Sequence, residues 1–233
     1  MQSLDSTQTT LKQRENLKEG DCLQALSQQN GQGRHGRIWS SPKGNLYCSC
    51  VLQPNCPSER IGEIALLIGL AIAESCNTAT NPTLKWPNDI LLNGKKCAGI
   101  LIETTDMQAG HINTVVIGFG VNYEHKAHEQ GTTLKQHQTS HESLDEVRDA
   151  ILSNISRYYK YWQTCGFAEI RKAWLGYAMP ISTSMSVKID ENHISGQFEG
   201  IDKAGHLLLL CDKSSKLKTI SSGDVFLHDT TCD

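Results

Sequence analysis

The sequence predicts an α+β protein in two parts. A mixed sheet packed with helices spans residues 1–179, and a small all-β domain spans residues 180–233. Three observations predict this. A helix-length apolar stretch around residues 61–76 sits among runs that read as buried strands. Two further helical patterns lie between residues 143 and 177. After Pro180 the pattern changes to short strands separated by turn residues.

In chain order, "LDSTQTTLKQ" opens a helix with Asp5 or Ser6 as its cap. "DCLQALSQQ" reads as a short strand. "NGQGRHGRIWSSPKGN", residues 30–45, is rich in Gly and Arg and reads as a loop. "LYCSCVLQP" alternates, with Leu46, Cys48, Cys50 and Leu52 on one side of a strand. Pro57 and Ser58 open a helix to about Asn77, with Ile61, Ile64, Ile68 and Ile72 on its apolar face. "LKWPNDILLNGKKCAGILIE", residues 84–103, forms a hairpin whose Asn93-Gly94 suits a type I′ turn. "TVVIGFGVNY" is a buried strand in which Gly118 and Gly120 mark close approach of a backbone or ligand.

Residues 124–141 are polar and His-rich and predict a mobile loop rather than a metal site. Ser143 and Glu146 form a capping box that starts a helix bearing Val147, Ile151 and Ile155. A second helix carries Phe167, Ile170, Trp174 and Tyr177. Beyond Pro180, "MSVKI", "ISGQFEGI", "HLLLLCD" and "LKTISSGDVFL" are strands.

Composition bounds the function. A chain of 233 residues with 38% hydrophobic and 20% charged residues can bury a core without staples. A net charge of −3 offers no global basic field for DNA or an anionic membrane. The longest apolar run, "IALLIGLAIA", falls well short of the roughly 20 residues that cross a bilayer. The start has no signal-peptide pattern. Nine cysteines, none of them in a C-x-x-C pair, predict free thiols in a reducing cytoplasm, with Cys48 and Cys50 packing as small hydrophobes.

Two segments carry chemistry. In "GQGRHGR" the glycines let main-chain donors approach an anion, and Arg34 and Arg37 offer forked donors to phosphate or carboxylate. Alone, the segment serves equally as a solvated loop or a nonspecific RNA contact. In the hairpin, Lys96 heads a buried strand, where an ammonium is costly unless it meets an anion. Asn88 and Asp89 close the preceding strand. Alone, Asp89 could cap a turn while the lysines lie in water.

Taken together, "DST", "QQNGQGRHGRIW", "GNLYCS", "LKWPNDILLNGKKCAGILIE" and "VIGFGVN", in this order, closely resemble the biotin protein ligases. The likeness covers nearly the whole chain. "GIDKAGHLLL" resembles the C-terminal cap of that family.

The resemblance implies a biotin/lipoyl ligase catalytic domain followed by a small SH3-like β-barrel. It implies that biotin is activated by ATP, with Mg²⁺ present, to biotinyl-5′-AMP. The biotinyl group then passes to a lysine of a biotin carboxyl carrier protein domain of a carboxylase. Lys96 matches the lysine between the biotin carboxylate and the α-phosphate. Arg34 matches the arginine of a loop that folds over the adenylate, supported by Arg37. Asp89 matches a family carboxylate expected to meet Mg²⁺ or a lysine amine.

For biotin, the resemblance implies contacts from Ser6, Thr7 and Gln28, and from Gly31, Gly33, Arg34 and Lys96. Gly99, Leu101, Gly118 and Gly120 complete that pocket. For the nucleotide it implies Gln32, Arg34, Arg37, Trp39, Asn88, Lys96 and Asn122. Trp39 and Trp86 also read as core supports. No metal held by protein side chains is expected.

The chain departs from the pattern at Gln32, where many relatives carry Arg. The loop after Asn122 lacks a Trp that some relatives place near adenine, so Tyr123 or His125 is expected there. The start at "LDST" leaves the usual first strand short or missing. No DNA-binding module precedes it, so repressor activity is not expected. Neither DNA nor a membrane is an expected partner, and a homodimer is the candidate assembly. The rival readings are a lipoate or octanoate ligase of the same fold, a binding module without turnover, and an RNA-binding protein.

Overall fold

The structure, a computed structural model, describes residues 3–228. Ser6 caps helix α1 (Thr7–Lys12) by accepting the Thr9 N–H at 3.3 Å. Strand β1 (Cys22–Ala25) pairs with β2 (Leu46–Leu52) and forms one edge of the main sheet.

The alternation in β2 predicts one buried face, but all seven of its residues are buried. Leu46, Cys48, Cys50 and Leu52 join the main apolar cluster. Val51 meets Leu11 of α1, and Tyr47 meets Trp39 from the Gly/Arg loop. The sheet is therefore covered on both sides here.

The helix expected from Pro57 is shorter at both ends. Pro57 belongs to β3 (Cys56–Pro57), and residues 58–60 form a single 3₁₀ turn. Helix α2 (Ile61–Glu74) then buries Ile64, Leu67, Ile68, Ala71 and Ile72. It ends where the Ser75 N–H reaches Ile72 O and the Cys76 N–H reaches Ala73 O, closing the last turn tightly.

Next come β4 (Thr83–Lys85), β5 (Asp89–Leu92), β6 (Lys95–Gln108) and β7 (His111–Val121). Asn93 (φ 49°) and Gly94 (φ 74°) make the expected left-handed pair between β5 and β6. The sheet order is β1-β2-β7-β6-β5-β4, with β3 also on β7. Every strand pair in it is antiparallel. Among the described residues parallel pairing is confined to the isolated bridges Leu4–Gln28 and Leu84–Ala178.

The capping box forms as expected. Ser143 Oγ accepts from the Glu146 N–H, and Glu146 accepts from the Ser143 N–H at 2.8 Å. It starts α3 (Leu144–Cys165), and α4 (Ala168–Tyr177) follows. Residues 124–141 form a loop, but not the loosely held one expected. Asn45 Oδ1 accepts the N–H groups of Tyr123, Glu124 and His125, each at 2.9 Å. Thr132, Thr133 and Leu134 are buried.

The C-terminal strands are β8 (Ser184–Ile189), β9 (Asn192–Ile201), β10 (Leu207–Cys211), β11 (Leu217–Ile220) and β12 (Asp224–Leu227). "LKTISSGDVFL" is two strands rather than one. They break at residues 221–223 and join opposite edges, giving the order β11-β10-β9-β8-β12. Among the described residues this is an open path; the hydrogen-bonded closure expected of a barrel is not present. One apolar cluster runs through both parts, joining Trp174 and Ile100 to Phe198 and Leu207. The Trp86 indole N–H donates to Gly205 O at 3.0 Å across the junction.

Candidate active site

The antiparallel register builds the floor of a cavity. Asp89, Gly99, Gly120 and Tyr47 stand opposite one another in a row across β5, β6, β7 and β2. Leu101, Gly118 and Ser49 form the next row. Cross-strand side chains on one row share a face, so three glycines leave the sheet bare in its centre. Two polar side chains lie down on that patch. A Cβ at Gly120 would sit 2.7 Å from Trp39 Nε1, and one at Gly118 would sit 2.7 Å from Gln8 Oε1. The Trp39 indole N–H is buried and has no acceptor among the described residues.

One end of the cavity is a network of neutral polar groups. The Thr7 N–H donates to Gln28 Oε1 at 2.8 Å, and Gln28 Nε2 donates to Ser41 Oγ at 3.0 Å. Ser49 Oγ donates to Thr7 Oγ1 at 2.8 Å and contacts Gln8 Oε1 at 3.1 Å. Tyr47 donates its hydroxyl to Pro42 O, and burial pushes its phenol up to about 12.

The other end is cationic. Lys96 Nζ lies 2.5 Å and Lys85 Nζ 3.1 Å from the carboxylate of Asp89. Burial works to raise the Asp89 carboxyl, but Lys96 and then Lys85 outweigh it and hold the group below the ordinary carboxylate value. Arg34 Nη1 donates to Asn88 Oδ1 at 3.3 Å and to Gly223 O at 3.1 Å. Burial pulls the Arg34 guanidinium down from its usual value, with Asp89 opposing. Arg37 pairs with Asp224 of β12, and His35 Nε2 is 3.7 Å from the same carboxylate.

The structure brings most of the sequence-derived residues to this one cavity. Ser6, Thr7 and Gln28 line the polar end, and Gln32, Gly33, Arg34 and Arg37 line the loop side. Trp39, Asn88, Asp89 and Lys96 line the cationic end, with Gly99, Leu101, Gly118 and Gly120 beneath. Gly31 and Asn122 lie outside the lining. Gly31 permits a loop crossing in which a Cβ would meet Trp39 O at 2.4 Å. Asn122 is buried and holds the following loop, accepting the Ala127 N–H at 3.2 Å and donating to Thr132 O at 3.2 Å.

Sequence reasoning missed Gln8, Tyr47, Ser49, His128, Asp224 and Phe226, all of which line the cavity. Tyr123 and His125, expected near adenine, are not among the lining residues; His128 is, with its ring centroid 5.8 Å from that of Trp39. Burial, then Lys96, pushes the His128 imidazole down from its usual value. The adjacent "GD" of "SSGDVFL" was the sole signal for Asp224, and it reads as an ordinary strand start.

The cavity holds about 200 Å³. Small-molecule sites span roughly 300–1,000 Å³, and this cavity lies below that range. Among the described residues no group of three or more side chains could hold a metal ion. Both carboxylates on the cavity wall, Asp89 and Asp224, are already paired with cations. The donor set therefore does not fit a resident Mg²⁺. Among the described residues no helix is long and apolar enough to cross a membrane.

An antiparallel sheet of this kind, followed by a small β domain, places the chain among protein ligases. Residues 1–122 match the biotin/lipoate A/B protein ligase family, and the chain belongs to it. Residues 187–228 match the biotin protein ligase C-terminal domain. The chain is 34% identical over 238 residues to the bifunctional ligase/repressor BirA of Bacillus subtilis, covering 96% of this chain and 72% of that one. It is 34% identical over 218 residues to the biotin–[acetyl-CoA-carboxylase] ligase of Paracoccus denitrificans, covering 88% of this chain and 90% of that one. The biotin protein ligase of Aquifex aeolicus in complex with biotin and ATP superposes with a TM-score of 0.83 at 29% identity, over 98% of this chain and 97% of that one.

Proposed function

We propose that the chain is a biotin protein ligase that activates biotin with ATP and transfers it to a carrier lysine. The observation that carries this reading is that Lys96 and Arg34, from separate segments, line one cavity whose far wall is the neutral network of Thr7, Gln28 and Ser49. A neutral, hydrogen-bonding ring system suits the second end, and a carboxylate meeting a phosphate suits the first.

In the first step a biotin carboxylate oxygen attacks the α-phosphorus of ATP. Pyrophosphate leaves with the electrons of the broken P–O bond. Two anions must approach, so fixed cations stabilise the transition state, at roughly 3–4 kcal/mol for each well-aimed donor. Lys96 supplies this charge, and Asp89 restrains its ammonium at the wall. Arg34 and Arg37 exchange Asp224 for phosphate oxygens as the loop closes over the adenylate and excludes water. Mg²⁺ arrives as part of the ATP complex. In the second step the amine of a carrier lysine attacks the biotinyl carbonyl carbon, and AMP leaves.

The acceptor is a biotin carboxyl carrier domain of a biotin-dependent carboxylase, met in the cytoplasm. A net charge of −3 gives DNA no broad electrostatic footing. In this reading residues 1–179 are the catalytic part and residues 180–233 the smaller C-terminal part, whose Asp224 and Phe226 line the cavity.

The test is incubation with ATP, Mg²⁺, labelled biotin and a carrier domain. Label on the carrier and pyrophosphate release are expected. Label from lipoate alone would move the protein to the sister activity, and neither label nor pyrophosphate would reduce it to a binding module.

A further inference from the structure

Beneath the cavity floor, two thiols face each other. Cys22 is on the edge strand β1 and is exposed; Cys48 is on β2 and buried. Their sulfurs are 3.2 Å apart. The register pairs Cys22 with Cys50 and Gln24 with Cys48, so Cys22 and Cys48 are diagonal neighbours on one face. Arg148 of α3 reaches this corner and donates to Gln24 Oε1 at 2.8 Å.

The two thiols are unequal. The contact from Cys48, helped by Arg148 and opposed by burial, pulls the Cys22 thiol below its ordinary value. The same contact, with burial, pushes Cys48 well up. Cys50, directly opposite Cys22, is buried, and burial pushes its thiol up to about 12. An exposed, thiolate-prone cysteine beside a second thiol is the arrangement that oxidants select.

We propose that Cys22 and Cys48 form a peroxide-responsive dithiol, with Cys22 as the attacking sulfur and Cys48 as the resolving one. The Cys22 thiolate attacks one oxygen of a hydroperoxide. The O–O bond breaks and, for hydrogen peroxide, the departing hydroxide takes up a proton to leave as water. Cys22 becomes a sulfenic acid. Cys48 sulfur then attacks Cys22 sulfur, the S–O bond breaks, and the hydroxyl leaves as water with the proton from Cys48. Two thiols are oxidised and one peroxide is reduced to two waters. Closing the bond brings the sulfurs from 3.2 Å to about 2.05 Å. The motion falls on β1, which among the described residues has no strand on its outer side. A cytoplasmic thiol pool would reopen the bond by exchange. The proposal does not rest on the ligase reading.

The test is brief treatment of the full chain with hydrogen peroxide, alkylation of remaining thiols, and peptide mapping without reductant. A Cys22–Cys48 cross-linked peptide is expected, with two thiols lost per chain and both restored by dithiothreitol. Cys22→Ser should abolish the loss. Cys48→Ala should leave Cys22 as a sulfenic acid that dimedone traps. Should that variant fold poorly, the wild-type map alone decides. A Cys22–Cys50 link, a link between chains through Cys165, or an unchanged thiol count would each overturn the assignment.

Discussion

The guanidinium of Arg34, from the Gly/Arg loop, lies 3.5 Å from the carboxylate of Asp224, from the last strand of the C-terminal sheet. Arg37 and His35 converge on the same carboxylate. One acidic group therefore latches two guanidinium groups of the Gly/Arg loop, with the His35 ring beside them. Asp224→Asn should free that loop without ligand present. Tryptic cleavage after Arg34 or Arg37 should quicken about fivefold, equivalent to about 1 kcal/mol for a partly exposed pair. Equal cleavage rates in the two proteins would refute the latch.

Lys96→Ala removes a cation from the cavity wall. Adenylate formation, followed as pyrophosphate release with saturating biotin, should slow by about two to three decades. Near-normal rates would remove Lys96 from the chemistry.

Arg34→Gly acts on retention more than on formation. With the loop unable to hold its product, biotinyl-adenylate should diffuse out and label bystander lysines on an added inert protein. Labelling confined to the carrier domain would contradict a shielding role.

Asp89→Asn leaves Lys85 and Lys96 without their shared counter-ion. The folded-state value of this carboxyl is depressed, so its stabilising contribution is complete above about pH 4, the ordinary aspartate value. It is lost as pH falls through the folded value. Urea unfolding should show a deficit of roughly 1–3 kcal/mol at pH 7, discounted for partial exposure of the lysines. The deficit should shrink at lower pH as the wild-type carboxyl is protonated. A deficit independent of pH would mean that packing, not charge, makes the difference.

Gly120→Ala would drive a methyl group into the Trp39 indole, 2.7 Å from its nitrogen. The indole must shift, at a cost of about 1–3 kcal/mol. A lowered Tm with altered tryptophan fluorescence is expected; an unchanged spectrum would show that the ring does not rest on the glycine floor.

Features set by neighbours in sequence were legible. Asn93-Gly94 has the left-handed freedom its turn needs, and Ser143 with Glu146 satisfies a helix end within four residues. The cationic end of the site was legible too, because Lys96, Asp89 and Asn88 lie on one hairpin. Contacts made across the chain were not. Asp224 meets Arg37 over a separation of 187 residues, and nothing local distinguishes it. The second buried face of β2 depended on Trp39 folding back over Tyr47. Asn122 reads as a site residue but spends its amide on the backbone of the next loop. The start of α2 was misjudged because Pro57 suits a strand end and a helix start alike.

Trp86 ends its indole N–H on the carbonyl of Gly205, and Arg171 caps the carbonyls of Ile201 and Asp202. A gene cut near Pro180 would thus yield two fragments that each carry a raw greasy scar and stranded donors or acceptors. A reporter split at that point would read out reunion of the halves, since neither keeps a finished surface when parted from the other.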